Sequence, residues 1–390
     1  MKTDIAVIGG GMVGLAAALR CAQLGFHVGV VEAVSPPPVA LENYGLRVSA
    51  ISLASQRLFE ALGAWDAMCS LRVSPYQNMV VWDEHSTGEI TLTAQEAHVG
   101  QLGHIIENAV IQQALWERAE QHENITMLAP AKWTQLQQEA EGWHLTLDSG
   151  ASVSARLVIA ADGARSAVRE HVGIATDATF YQQHGVVCVL KTEQPHQHTA
   201  WQRFLATGPI AFLPLDDPHY CSMVWSTESA EAERLLEADE AAFNIEVAAA
   251  MQNRLGACEV VGQRARFPLQ HQHAETYVKD GVVLVGDAAH SIHPLAGQGV
   301  NLGFKDVVAL GQVLAKHQQT GRPFYWQSSL QPYETARRVD NALMRKSMTL
   351  FNSVFSNESP LLSRLRGKAL NTVDQWQGLK QLLMRHALGE

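Results

Sequence analysis

Several features are scarce in this sequence, and each scarcity excludes a class of protein. No apolar run reaches the roughly 18 residues that a membrane-spanning helix needs. The five cysteines, Cys21, Cys69, Cys188, Cys221 and Cys258, include no CxxC pair, so we predict reduced thiols in a cytoplasmic protein and no disulfide framework. Basic residues number 29 against 39 acidic ones, and the formal net charge of −10 argues against a nucleic-acid partner.

Patterns for metal binding and nucleophilic catalysis are also missing. The 17 histidines include three closely spaced pairs, namely His196/His198, His271/His273 and His290/His293. No cysteine or carboxylate cluster completes a site around any of them, so we predict no metal. Neither Ser291 nor a cysteine lies in a nucleophile elbow, and the sequence therefore gives no support to hydrolase chemistry.

What the sequence does contain is an ordinary globular composition, 47% hydrophobic over 390 residues, and a glycine loop near its start. Asp4–Ile8 is an apolar run typical of a buried parallel strand. The glycines that follow it in the pattern G-x-G-x-x-G are Gly9, Gly11 and Gly14. A helix over 12–24 and a strand over 27–31 are predicted next, and that strand ends at Glu32.

Each part of this unit has a physical role. The first glycine makes the tight turn, the second lets a pyrophosphate approach the backbone, and the third lets the helix pack on the strand. The acid at the end of the second strand accepts hydrogen bonds from ribose hydroxyls. The unit predicts a dinucleotide site, and its residues leave both FAD and NAD(P) open as the ligand.

Two later loops follow strands in the same way. ADGARS (161–166) comes after an apolar run over 153–159 and carries Asp162; the alternative interpretation is that this acid merely caps the next helix. GDAAHSIHPLAGQGVN (286–301) follows the apolar run GVVLVG and leads into a helix that begins near Gly299. A strand, an acidic residue, a glycine loop and a helix start form the pattern of a phosphate site.

The middle of the chain changes character. We predict a helix that follows Arg47, with Ser49 as its N-cap, and another over His104–Ala119. Strand-like runs without intervening helices predict an antiparallel sheet over 185–227. Further strands are predicted at 125–128, 143–147 and 153–159, and further helices at 228–236, at 239–252 and from Gln331 onward.

The three loops, in this order, resemble those of the group A flavin monooxygenases, which share the p-hydroxybenzoate-hydroxylase-like fold. RVSAIS, LGHIIEN, AFLPLDDPH and the long third loop are similar to stretches of the ubiquinone-biosynthesis hydroxylases, and the likeness covers nearly the whole chain. It implies an α/β fold: a Rossmann-like FAD-binding domain of the GR2 type, an inserted antiparallel-sheet substrate domain and a helical C-terminus. The implied boundaries are 1–73, 98–181 and 268–328 for the FAD-binding domain, 74–97 and 182–267 for the substrate domain, and 329–390 for the helical region.

The resemblance also implies roles for individual residues. FAD is the implied cofactor, and its implied contacts are Gly9, Gly11, Gly14, Glu32, Arg47, Asp162, Asp287, Gly297, Gly299 and Asn301. Asp287 should bind the ribityl chain, and Asp162 should touch both FAD and the pyridine nucleotide. His293 and Pro294 are the implied catalytic positions, beside the isoalloxazine ring. From the residues alone, Arg47 is as readily a solvated side chain as a phosphate contact.

The implied reaction is hydroxylation of a polyprenylated phenol in ubiquinone biosynthesis, with NAD(P)H as a transient reductant and O2 activated as a flavin hydroperoxide. A lipid substrate implies peripheral contact with the inner membrane or membership of a multi-enzyme complex, and we expect self-association. Two alternatives are a flavin oxidoreductase that acts on a lipid without hydroxylating it, and an FAD-stabilised scaffold in a biosynthetic complex. The ring position and the choice between NADH and NADPH are left open.

Overall fold

The computed structural model of the protein describes residues 1–84, 89–291, 299–355 and 389. The strands are β1 (Lys2–Ile8), β2 (Val28–Val31), β3 (Val48–Ser52), β4 (Ser74–Tyr76), β5 (Asn78–Asp83), β6 (Glu89–Thr93), β7 (Gly103–Glu107), β8 (Ile125–Leu128), β9 (Trp133–Glu139), β10 (Gly142–Leu147), β11 (Ser152–Ala160), β12 (Thr176–Thr192), β13 (Thr199–Leu205), β14 (Gly208–Pro214), β15 (Tyr220–Glu228), β16 (Cys258–Ala274), β17 (Val278–Lys279), β18 (Val282–Leu284) and β19 (His290–Ser291). The helices are α1 (Met12–Gln23), α2 (Leu53–Leu62), α3 (Trp65–Leu71), α4 (Asn108–Glu120), α5 (Ala167–His171), α6 (Ser229–Glu237), α7 (Glu240–Ala250), α8 (Gly299–Thr320) and α9 (Gln327–Phe355).

A largely parallel sheet carries the three loops. Its strands lie in the order β17-β18-β11-β1-β2-β8, and all neighbouring pairs from β18 to β8 are parallel. The side chains of Ile5, Ala6 and Val7 in β1 are fully buried, as a strand covered by helices on both faces requires. The carboxyl ends of β1, β11 and β18 therefore meet at one edge of the sheet, and each leads into one of the loops.

An eight-stranded sheet, here called the inserted sheet, has the order β19-β16-β12-β15-β14-β13-β5-β6. Its pairs are antiparallel except for β13 with β5. This confirms the predicted antiparallel architecture. One face packs against α6 and α7, and the other packs against residues of β3, β4 and β7.

Two predicted helices begin later than the periodicity suggested. Val48–Ser52 and Gly103–Glu107 are strands that pair antiparallel with each other, so the helical prediction was wrong for both stretches. The N-cap of α2 is Ser52, whose hydroxyl accepts the amide of Ser55 at 3.3 Å. Ser49 lies inside the strand and donates its hydroxyl to Asn108 at 2.7 Å. Pairing between segments distant in sequence outweighs local periodicity here.

The predicted helical region after Gln331 is observed as α9, as far as Phe355. Within the described ranges, no helix is both long enough and apolar enough to cross a membrane. The five cysteines are free thiols, and all except Cys69 are buried.

Candidate cofactor and active site

The first two loops touch each other through Gly9. The amide of Gly9 donates to Val31 O at 2.9 Å, and the amide of Ala161 donates to Ile8 O at 2.8 Å. Gly9 has a φ of +109°, and a Cβ there would lie 2.4 Å from Ala161 O. Gly9 is therefore required both for the turn and for the close approach of the second loop.

Gly11 and Gly14 have opposite surroundings. A Cβ on Gly14 would lie 1.9 Å from Gly9 O, so helix α1 sits too close to the strand end for any side chain. A Cβ on Gly11 would meet no described atom within 4 Å beyond its chain neighbours. Gly11 is also the N-cap of α1, and no side chain caps the helix. The first amides of α1 thus face a space that a pyrophosphate can fill.

The two acids that follow β2 and β11 differ in how their oxygens are used. Glu32 accepts the amides of Gly10 at 2.5 Å and Val34 at 2.9 Å. Asp162 accepts the amide of Val168 at 3.1 Å through one oxygen, while its buried Oδ1 has no hydrogen-bond partner in the described part of the chain. Helix capping accounts for one Asp162 oxygen, and the other is placed to accept from a ligand.

Asp287 lies in a short 3-10 turn, Gly286–Ala288, directly after β18. The side chain of Asp287 is accessible to solvent at its surface. Many protein atoms lie around it, and the resulting loss of hydration raises the pKa of its carboxyl group. The charges of His290 and Arg47 oppose that rise, while Asp306 adds to it. The guanidinium of Arg47 stacks over the Phe267 ring at 5.0 Å. An accessible carboxylate at the carboxyl end of β18, with a cation nearby, suits a polyhydroxylated phosphate ligand.

The buried carboxylate of Asp306 is hydrogen-bonded to residues before and after Asp287 in the third loop. Asp306 Oδ2 accepts the amide of Gly286 at 2.8 Å and His290 Nε2 at 2.7 Å. Arg337 Nε donates to Asp306 Oδ1 at 2.7 Å. Burial alone would raise the Asp306 pKa, but His290 and Arg337 hold it below its ordinary value. The loop conformation around Asp287 is therefore fixed by charge-assisted hydrogen bonds.

His290, one of the histidines of the closely spaced pairs, is hydrogen-bonded to Asp306 through Nε2. Among the residues that the structure describes, no group of three histidine, cysteine or acidic side chains is arranged to hold a metal. His196 is likewise engaged with backbone carbonyls, since its Nε2 lies 2.9 Å from Leu215 O.

Arg169 and Gln272 join the second loop to its neighbours. The buried Arg169 donates to Ala288 O at 2.8 Å and to Ala164 O at 2.9 Å. Gln272 of the inserted sheet also donates to Ala164 O, at 2.9 Å. Strand β19, which follows the third loop's acid, pairs with β16 of the inserted sheet. The inserted sheet is thus hydrogen-bonded directly to the loops.

The structure describes most of the predicted site residues at this edge. His293, Pro294 and Gly297 lie outside the described residues. Gly299 begins α8. Asn301 directs its side chain to β3 and the start of α2, accepting the amide of Ser52 at 3.0 Å, and so fixes the first turn of α8. Direct contact between Asn301 and a cofactor stays a prediction.

The face of the inserted sheet opposite α6 and α7 carries aliphatic side chains on its central strands, and those of Val189, Ala211 and Leu213 are buried in a core with residues of β3, β4 and β7. Val186 and Cys188 of β12 belong to the core with α6 and α7, so Val187 and Val189 point to the opposite face by alternation. We call the residues of that side the aliphatic face: Val187, Val189, Ala211, Leu213 and Val224. Phe212, Met223 and Trp225 lie on the helix side.

The arginines of the inserted sheet and its helices bind backbone carbonyls or acidic side chains. Arg203 donates to Ala250 O in α7, and Arg264 donates to Leu235 O and Ala238 O. The remaining arginines of this region pair with acids: Arg234 with Glu231 and Glu246, Arg254 with Glu89, and Arg266 with Glu233. No arginine of the described inserted sheet is therefore directed from the aliphatic face to a substrate carboxylate.

Comparisons with known proteins agree with this geometry. The family model described as "FAD binding domain" matches residues 2–346. A 3-demethoxyubiquinol 3-hydroxylase of Escherichia coli (strain K12) is 40% identical over 388 residues, which cover 99% of this chain and 98% of that protein. The chain belongs to this FAD-binding family. The resemblance implied by the three loops is confirmed.

Members of this family bind FAD, and the open backbone at Gly11, the unpaired oxygen of Asp162 and the accessible Asp287 fit that cofactor. Ubiquinone hydroxylase UbiL of Rhodospirillum rubrum is 36% identical over 386 residues, covering 99% of this chain and 89% of that protein. The solved p-nitrophenol 4-monooxygenase PnpA from Pseudomonas putida DLL-E4 is similar in fold, with a TM-score of 0.81 at 18% identity over 99% of this chain and 98% of that chain. The predicted monooxygenase fold and FAD cofactor are thus confirmed, and the protein is an FAD-dependent monooxygenase.

Proposed function

We propose that this protein hydroxylates a polyprenylated phenol in ubiquinone biosynthesis, with NAD(P)H and O2 as co-substrates. The observation that carries the proposal is the loop cluster that fits FAD, in a chain 40% and 36% identical to relatives named as a 3-demethoxyubiquinol 3-hydroxylase and a ubiquinone hydroxylase. FAD, when bound, would supply the redox chemistry, in which NAD(P)H provides two electrons, one oxygen atom of O2 enters the phenol ring and the other leaves as water.

The chain's own residues bind and orient the cofactor. The amides of α1 after Gly11 hold the pyrophosphate, and Glu32 accepts from a ribose hydroxyl. Asp287 accepts from the ribityl chain, and Arg47 neutralises phosphate charge. Asp162 offers its unpaired oxygen to the cofactor or to the nicotinamide nucleotide.

The family resemblance assigns the reacting side of the flavin to the third loop, where His293 and Pro294 would exclude water from the reacting atoms. Val187, which lies on the same face of the inserted sheet as Phe267 beneath Arg47, is proposed to contact the substrate. A neutral phenol with an isoprenoid tail would gain about 0.8 kcal/mol for each methylene that it buries.

A prenylated substrate would reach the active site from a membrane or from a protein that presents lipid. We propose peripheral contact with the inner membrane or with a ubiquinone-biosynthesis complex, and self-association of the chain. The Rhodospirillum rubrum relative named as a ubiquinone hydroxylase supports the pathway assignment. Co-sedimentation of purified holoprotein with vesicles, compared with its sedimentation alone, separates membrane contact from contact with a protein partner.

Two substrates are candidates. The likeness of the chain as a whole suggests the 2-polyprenylphenol hydroxylases, whereas the Escherichia coli relative is named for hydroxylation at position 3 of a demethoxyubiquinol. Mass spectrometry of the quinone precursors that accumulate when the gene is deleted decides between them. Accumulation of a prenylphenol supports the first, accumulation of a demethoxy precursor supports the second, and unchanged ubiquinone with no precursor contradicts the proposed function.

A further inference from the structure

The connection between β2 and β3 contains a stretch, residues 40–45, that is held by one buried ion pair. We call it segment 40–45. Arg72, directly after α3, lies with its Nη2 3.4 Å from Ala40 O, 3.4 Å from Leu41 O and 3.2 Å from Asn43 O. The guanidinium also stacks on the Tyr44 ring at 4.4 Å. One side chain therefore contacts four of the six residues of the segment.

The partner of Arg72 holds the other end of the segment. Arg72 Nε lies 3.1 Å from Glu107 Oε2, and the two side chains are 10% and 4% exposed. Glu107 Oε1 accepts the amide of Gly45 at 2.5 Å. Burial raises the Glu107 pKa, against the lowering effect of the Gly45 amide and of Arg72. A buried ion pair with its remaining hydrogen bonds satisfied has a defined geometry, and losing one partner is costly.

The Arg72–Glu107 pair fixes the backbone next to Arg47, the residue proposed to contact FAD. Arg47 comes two residues after Gly45, and its carbonyl accepts the amide of Asn108, the neighbour of Glu107. Its side chain then lies over Phe267 of the inserted sheet and close enough to Asp287 to lower the pKa of that acid. Neither Arg72 nor Glu107 is adjacent to Arg47 in sequence, yet together they fix the backbone that leads into it.

A second contact joins the same segment to the inserted sheet. The hydroxyl of Tyr44 donates to Asp216 Oδ1 at 2.6 Å, and its ring packs on Tyr220 at 5.4 Å. Asp216 follows β14, which carries part of the aliphatic face. Segment 40–45 is thus held between Glu107 of β7 on one side and Asp216 and Tyr220 of the inserted-sheet region on the other.

We infer that Arg72 and Glu107 are positioning residues for Arg47, and that they set FAD affinity through it without touching the cofactor. The inference rests on the proposed contact between Arg47 and FAD. It assigns a functional role to a buried pair that lies outside the three glycine loops. A purely structural pair would stabilise the fold and would affect FAD binding equally whether or not Arg47 is present.

The test is a double-mutant cycle on FAD affinity, measured by flavin fluorescence on apoprotein reconstituted with FAD. Glu107→Gln and Arg72→Lys are each made with Arg47 present and in an Arg47→Ala background. We expect Arg47→Ala to weaken FAD binding about tenfold, and each positioning variant to weaken it several-fold, on the order of five, when Arg47 is present. In the Arg47→Ala background the same variants should change FAD affinity less than about twofold.

Arg234→Lys is the matched control, because Arg234 is also paired with glutamates but lies on α6. It should leave FAD affinity unchanged. If Glu107→Gln does not fold, Arg72→Lys keeps both charges and supplies the cycle. Equal losses in both backgrounds, or no loss when Arg47 is present, would overturn the inference.

The result for Arg47→Ala alone separates this inference from the proposed function. Unchanged FAD affinity in that variant overturns the positioning role, while phenol hydroxylation by the same preparation leaves the proposed function intact. If the unmodified holoprotein hydroxylates no phenol, the proposed function itself is contradicted.

Discussion

Gly14 and Gly185 differ in how much space surrounds them. At Gly14, in the first loop, an added Cβ would lie 1.9 Å from a backbone oxygen, whereas at Gly185, in β12, the nearest atom outside its neighbours is Leu269 Cδ2 at 3.5 Å. The end of β1 is therefore intolerant of even one methyl group at Gly14, while the inserted sheet has space for one at Gly185.

The largest effects should come from the first-loop glycines, and they should differ in kind. Gly14→Val should prevent the largely parallel sheet from folding, because the end of β1 leaves no space for a side chain at this position. Gly11→Val should leave the fold intact and abolish FAD binding, because its Cβ enters the space assigned to the pyrophosphate. Circular dichroism and the flavin-to-protein ratio check both. Stoichiometric flavin in Gly11→Val would contradict the assignment of the first loop.

Asp287→Ala should weaken FAD binding by about ten- to a hundredfold, the equivalent of roughly 1.5–3 kcal/mol for one charge-assisted hydrogen bond. The apoprotein should remain folded, since Asp306 holds the loop through Gly286 and His290 and not through Asp287. Titration of apoprotein with FAD measures the change. Asp66→Ala, at an exposed acid in α3, is the control. An Asp287→Ala protein that unfolds even with excess FAD would make Asp287 structural.

Adjacent valines in β12 test the two faces of the inserted sheet. Val186 is fully buried against α6 and α7, so Val186→Ala should cost about 1–3 kcal/mol of unfolding free energy and leave the KM for the phenol unchanged. Val187→Ala should raise that KM by a few-fold, on the order of 1 kcal/mol, with a smaller loss of stability. Chemical denaturation and steady-state kinetics separate the two. The opposite assignment of effects would place the substrate elsewhere.

The smallest effect should be a stability gain in the apoprotein. Because the folded protein raises the pKa of Asp287, holding its charge destabilises the fold above that pKa, and the penalty disappears once pH falls below the unfolded value near 4. Asp287→Asn should therefore raise the thermal midpoint of the apoprotein at pH 7–8, by an amount on the order of 1 °C given the solvent access of the side chain. The gain should vanish in acid. A lower midpoint at neutral pH would show that the charge stabilises the fold.

The parts of this fold that the sequence predicted are those whose residues act locally. Asp4–Ile8 is buried on both faces, and Gly14 must be glycine because the next helix returns onto its own strand. The start of the helix after Arg47 was misplaced because β3 is stabilised by β7, which lies about fifty residues away in sequence. Local periodicity contains no information about such a partner.

The same reason explains which site residues were missed. Arg169, Asp306 and Arg72 are charged residues on or beside helices, where a sequence alone suggests exposure. Their partners are distant: Arg169 binds Ala288, 119 residues away. Burial of a charge is decided by such contacts, so the residues that orient the site became visible only in the structure.

A direct test of hydroxylation of a prenylated phenol is product formation per NAD(P)H oxidised, with mass spectrometry of the product, across phenols of increasing prenyl length. We expect a product that gains one oxygen atom, with kcat/KM rising as the tail lengthens and NAD(P)H oxidation most tightly coupled to hydroxylation for the longest tails. Hydroxylation of p-hydroxybenzoate as efficient as that of the prenylated phenols would contradict a lipid substrate. NAD(P)H oxidation with no oxygen in any product would contradict the hydroxylase itself.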